Sequence, residues 1–179
     1  MSSGLGATML IYHPVHDVNH CVYRILIILE NSVHEEMDLE LYRVQDFYFL
    51  FPHLLKYIKP FPSELIAYKK IIKRIPDPFE LLKNTKRIMH DLESLQTVAI
   101  HSLLAKNILD MDAFKNKRLK RTEAMLPEKI LAKISEDESL TENWFKMIVN
   151  DFPNINFGGN SGLKKRTGLM EYRYDREGL

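Results

Sequence analysis

A chain of 179 residues, 45% hydrophobic and 27% charged with few Gly and Pro, is about one domain long and can bury a core of its own. That composition excludes a disordered, collagen-like or low-complexity polypeptide. Cys21 is the only cysteine, which rules out an internal disulfide and a four-cysteine zinc site; the net charge of +1 is unevenly spread, at −5 over residues 1–50, +8 over 51–122, −4 over 123–157 and +2 over 158–179. The basic middle block suits nucleic acid or an acidic protein surface, or else forms a solvated lysine-rich face. No apolar run approaches the roughly 20 residues that span a bilayer, and Met1 to Thr8 lacks the pattern of a signal peptide. The expectation is a cytoplasmic protein with a flexible leader over 1–8 and a single mainly helical domain over 9–179. Within that domain, 9–110 reads as a helical core and 111–179 as a winged-helix-like C-terminal part.

In chain order, Tyr12-His13-Pro14 reads as extended, because proline pushes its predecessor out of the helical region. Asp17 then caps a helix whose apolar positions Val18, Cys21, Val22, Ile25, Leu26 and Leu29 recur at helical spacing. Ile27 and Ile28 widen that stripe nearly all round, so the helix is either central to the core or covered by a partner. A second helix is predicted from near Asp38 through Leu41, Val44, Tyr48 and Phe51, with Glu35, Glu36, Asp38 and Glu40 favouring its N-terminus. Phe47, Tyr48, Phe49 and Phe51 point to more than one side, so these rings need a second covering surface, from this fold or from another chain. Pro52 ends or kinks the helix and His53 to Tyr57 adds a further turn.

Beyond the linker Lys59 to Pro62, Ser63 is expected to cap a short helix with Leu65, Tyr68, Ile72 and Ile75 on one side and Lys69, Lys70, Lys73 and Arg74 on the other. Pro76-Asp77-Pro78-Phe79-Glu80 has the composition of a helix start with Asp77 as cap, and 91–109 is helical in pattern. Phe114 to Thr122 is too basic for a buried strand and reads as an exposed arm or a hairpin edge. Short helices follow from Pro127 to about Ile134, and from a Thr141 cap through Trp144, Phe145 and Ile148. Gly158 to Gly162 is a turn, and Met170 to Tyr174 reads as a strand. The predicted class is therefore mainly α: a compact helical domain with winged-helix-like character and a small β-hairpin or wing.

Chemistry-bearing arrangements are scarce. His13, His16, His20 and Cys21 offer zinc-ligand types, with His16 and His20 four apart. Cys21, however, shares a core phase with Val18 and Ile25, and further ligands would have to come from His53, His90 or His101. A buried thiol is inert, no serine sits in a nucleophile elbow, and the glycine turn lacks the Lys-Ser/Thr of a phosphate loop. The chain is read as non-enzymatic, with no catalytic residue, metal or cofactor. Lys115, Lys117, Arg118, Lys120, Arg121, Lys164, Lys165 and Arg166 could meet nucleic-acid phosphates, in a salt-sensitive and largely sequence-blind way. An alternative is a free-standing winged-helix transcriptional regulator, with Asn143 and Lys146 on a recognition helix and Lys164 to Arg166 in the wing.

Three segments carry a family resemblance: Ile11 to Pro14 with His20-Cys21-Val22-Tyr23-Arg24, then Gln45 to Pro52, then Gly162 to Asp175. Together they resemble the middle component of bacterial ABC-three-component systems, a type that includes the small subunit of Lamassu-type anti-phage and anti-plasmid defence complexes. The resemblance implies a non-catalytic adaptor that bridges an SMC-like ABC ATPase and a nuclease-type effector. Tyr12, His13, His20, Arg24, Phe47, Phe49 and Phe51 would then lie at partner interfaces or in the core beneath them.

Overall fold

The computed structural model describes residues 17–79 and 82–171. The first helix forms where its pattern places it: α1 spans Val18–Asn31, and Asp17 Oδ1 accepts the amides of Asn19 at 2.8 Å and His20 at 3.3 Å. Those are two of the donors that a helix start leaves without partners. Its nearly all-round apolar surface makes α1 the central element, and Cys21, Ile25, Ile27 and Ile28 are fully buried. The long helix α4 (Thr85–Ala105) packs along it. On another side Tyr23 reaches the helix α6 (Glu128–Ser135), donating to Lys133 O at 3.2 Å and to Asp137 Oδ2 at 2.6 Å, with Lys133 Nζ 4.5 Å above the Tyr23 ring.

After α1 the strand β1 (Glu36–Asp38) leads into α2 (Leu39–Leu50), capped by Asp38 through the amides of Glu40 and Leu41. Pro52 starts a 3-10 turn, Pro52–Tyr57, because it has no amide to continue the α-helical bonding. A second 3-10 turn, Ser63–Tyr68, runs into the short helix α3 (Lys69–Lys73). Leu65 and Ile72 are buried there while Lys69, Lys70, Lys73 and Arg74 face out, as the spacing predicts.

Several expected caps are used differently. Ser63 lies inside its turn, and its hydroxyl bonds the neighbouring Glu64 carboxylate. No helix starts over Pro78 and Phe79, and Asp77 Oδ1 instead pairs with Lys56 Nζ at 2.8 Å; Glu80 is outside the described residues. The long helix opens instead at Thr85, where Asn84 adopts φ 57° and its side chain accepts the Arg87 amide at 3.1 Å. It ends at Ala105 rather than at 109, and Leu109 forms a bridge with Arg121. Thr141 closes a 3-10 turn, Glu138–Thr141, by donating to Glu138 O, and α7 (Asn143–Lys146) starts after it. That helix widens into a π-turn, Met147–Asp151, and the buried Gln45 of α2 donates to Ile148 O in it at 2.6 Å.

Among the described residues the only sheet is antiparallel and two-stranded, and it joins distant parts of the chain: β1 pairs with β2 (Arg118–Lys120), with Met37 opposite Leu119. Those two side chains point into the core, while acidic and basic neighbours alternate on the outside. The arm from Phe114 to Thr122 is thus the short helix α5 (Met111–Lys115), a turn at Lys117 with φ 57°, and a paired strand. The mainly helical class with a small antiparallel sheet holds. The C-terminal part forms no wing from Lys164 to Arg166, which lie on the helix α8 (Leu163–Thr167). Met170 is in a turn and Glu171 is irregular, so the expected strand does not begin there; Tyr172 to Tyr174 lie outside the described residues.

Among the described glycines, Gly162 is the one where an added side chain would collide with backbone. A Cβ there would overlap the Phe157 backbone and the Gly158 carbonyl oxygen. The loop cannot open easily, since the Leu163 and Lys164 amides donate at 2.9 Å to Asn156 O and Phe157 O. At φ −76° the obstacle is space and not the dihedral angle. Gly162→Ala is expected to cost about 1–3 kcal/mol, the usual penalty for forcing backbone shifts, read as a lowered thermal midpoint.

Candidate partner-binding surfaces

The expected interface residues divide into three groups. Tyr12 and His13 lie outside the described residues. Arg24, Phe47 and Phe51 are core: Arg24 and Phe47 are 0% exposed and Phe51 is 7% exposed. His20 and Phe49 are half-buried. The second surface that the α2 rings require comes from the chain's own C-terminal half. Phe152 meets Tyr48 edge-on at 6.1 Å, and Trp144 and Phe145 flank Phe49 at 6.1 and 5.8 Å. These rings are therefore covered mainly by the chain itself, with Phe49 left half-buried.

Arg24 is the centre of a sealed polar network. Its Nε donates to Asp46 Oδ1 at 2.5 Å and its Nη2 to Asp46 Oδ2 at 3.1 Å, in the two-pronged geometry that suits guanidinium and carboxylate. Its Nη1 donates to His20 Nδ1 at 2.8 Å, since a guanidinium can only donate. Gln96 of α4 donates to Asp46 Oδ2 at 2.8 Å and receives Arg43 Nη1 at 3.3 Å. Arg24, Asp46 and Gln96 are all 0% exposed, so three helices share one charge pair. Burial works against the Arg24 charge, but Asp46 outweighs it and holds the guanidinium more firmly protonated than usual. Burial, followed by the field of Asp46, pushes the neighbouring Cys21 thiol up to about 12, so almost none of it is nucleophilic thiolate near neutral pH. His20 is drawn below its ordinary value, first by burial and then by Arg24. Among the described residues no three His, Cys, Asp or Glu side chains are grouped as a metal site.

Half of the nominated basic residues meet the acidic N-terminal block. Arg118 pairs with Glu36 at 3.1 Å, Lys120 with Glu35 at 3.9 Å and Arg121 with Glu30 at 2.6 Å. Lys115 pairs with Asp112, Lys164 with Glu40 and Lys165 with Glu171. Arg166 donates to Ser161 O and Pro60 O. Among the described residues, Lys117, exposed at the turn, and Arg166, which bonds only backbone carbonyls, meet no carboxylate in this group. Tertiary pairing thus neutralises much of these two segments.

One basic cluster combines Lys59 of the linker with Lys69, Lys70 and Lys73 from the polar side of the short helix. Among the described residues no carboxylate pairs with Lys59, Lys69, Lys70 or Lys73, and all four are exposed. The sequence signal was present, as four lysines between 59 and 73 with Glu64 the only acid among them. What it lacked was any sign that the other basic segments would be neutralised.

Among the described residues no helix is long and apolar enough to cross a membrane. Compared with known families, residues 10–175 match the model described as ABC-three component (ABC-3C) system Middle Component 5, which is nearly the whole chain. No curated protein and no solved structure matches it.

Proposed function

This chain belongs to the ABC-three component system Middle Component 5 family, and from that premise we propose that it is the non-catalytic adaptor of a Lamassu-type anti-phage or anti-plasmid defence complex. In this reading it bridges an SMC-like ABC ATPase and a nuclease-type effector in the cytoplasm. The observation that carries it is the family match over residues 10–175. The inert Cys21 thiol accords with a role in assembly. The α2 rings lend no support, because the chain covers them itself.

DNA enters this reading only as a weak, sequence-blind phosphate contact. Apart from Lys117, the residues of Lys115 to Arg121 and Lys164 to Arg166 named for it would have to leave acceptors of their own. The regulator alternative loses its wing, since its basic triplet is helical and held against Glu40, Glu171 and Pro60.

The test is co-expression with the ATPase and effector components encoded beside it. A tag on this chain is expected to retain both through size-exclusion chromatography after nuclease treatment. A chain that elutes alone under those conditions removes the adaptor reading.

A further inference from the structure

The uncancelled lysines surround a cleft. Lys56, Lys59, Lys69 and Lys73 form its rim, and its volume is about 270 Å³. Its floor is apolar: Ile58 and Ile72 are buried, and Phe61 is half-buried. Of the rim lysines only Lys56 is neutralised, by Asp77 at 2.8 Å. Glu64 is the nearby acid in sequence; its carboxyl is held below its ordinary value by backbone and Ser63 hydrogen bonds, so it remains charged.

We propose that this lysine-rimmed cleft docks an acidic protein segment with one or more apolar side chains, supplied by a partner component. The proposal rests on the adaptor reading for the identity of the component, and on charge and shape for its chemistry. Unpaired ammonium groups favour carboxylates by long-range attraction. The apolar floor of Ile58, Phe61 and Ile72 favours Leu-, Ile- or Phe-type anchors between those carboxylates. Nucleic acid fits less well. Hydrated phosphates gain nothing from the apolar floor of Ile58 and Ile72, and the one ring at the cleft, Phe61, is half-buried instead of presenting a stacking face.

The test uses the full chain and a fluorescein-labelled 12-residue peptide of four Glu-Glu-Leu repeats, followed by fluorescence anisotropy. Saturable binding is expected that weakens at least tenfold in the doubly substituted Lys69→Glu, Lys73→Glu protein. These positions are exposed, so an unchanged circular dichroism spectrum and melting curve should confirm that this variant folds. Replacing each Leu of the peptide with Ser, and raising NaCl from 50 to 500 mM, should each weaken binding severalfold. The proposal is overturned if the wild type does not bind the peptide, if the variant binds equally well, or if a 12-nucleotide DNA strand binds more tightly at the same residues. It is also overturned if ultracentrifugation shows a dimer that the two substitutions dissolve, for then the occupant is a second copy. Peptide binding together with failed co-purification would leave the cleft assignment standing and remove the adaptor reading; the reverse result would do the opposite.

Discussion

Arg24→Ala is expected to lower the free energy of unfolding by about 3–5 kcal/mol, the range for stranding one partner of a buried ion pair. Asp46 would be left fully buried with Gln96 as its remaining side-chain donor, and His20 would lose the guanidinium beside it. Asp46→Ala should cost a similar amount by leaving the guanidinium uncompensated. The revealing variant is the double substitution Arg24→Met, Asp46→Leu. It removes both charges at similar volume and should recover most of the loss, because the net value of a buried pair is small beside the cost of breaking it. The measurement is a urea midpoint with unchanged slope. A loss below about 1 kcal/mol for both single variants, the level of exposed pairs, would mean that water reaches the network and that it is not what joins α1, α2 and α4.

Phe47→Ala should cost about 3–5 kcal/mol, as expected when a fully buried aromatic ring is truncated. Phe47 is 0% exposed and stands edge-on to Tyr48 at 5.6 Å and 5.1 Å from Phe51. The prediction separates two roles that the sequence left open. A core residue changes stability and affects partners only through unfolding; an interface residue changes association and leaves stability alone. Phe47→Leu keeps most of the volume, should cost roughly 1 kcal/mol, and keeps the comparison possible should the alanine variant fail to fold. It is expected to co-purify with partner components as the wild type does. Unchanged stability with lost co-purification would return Phe47 to the interface.

Such a result would also bear on how the complex is organised. With Arg24, Phe47 and Phe51 in the core, the family-like segments Cys21 to Arg24 and Gln45 to Pro52 maintain the shape of the subunit. Under the adaptor reading, the lysine cleft between the first 3-10 turn and α3 is a surface with unmet charge on other elements. Two substituted positions there should matter more for assembly than any of the rings.

The sequence alone determined the local matters. Helical spacing and the Asp17 and Asp38 caps located α1 and α2, because the amides at a helix start are satisfied by residues two or three positions away. The same reasoning failed at Asp77, where a carboxylate that could cap a helix was taken by Lys56, 21 positions earlier. Tertiary structure alone decided which charges remained available. Glu30, Glu35 and Glu36 meet Arg121, Lys120 and Arg118 across more than eighty positions, so two conspicuous basic segments are largely neutralised while the less conspicuous lysines of 59–73 are not. Likewise, the pattern showed that the α2 rings needed a cover, but only the packing of Trp144, Phe145 and Phe152 showed that the chain supplies it. Periodicity records which side of an element is apolar; what lies against that side depends on contacts between residues far apart in the chain.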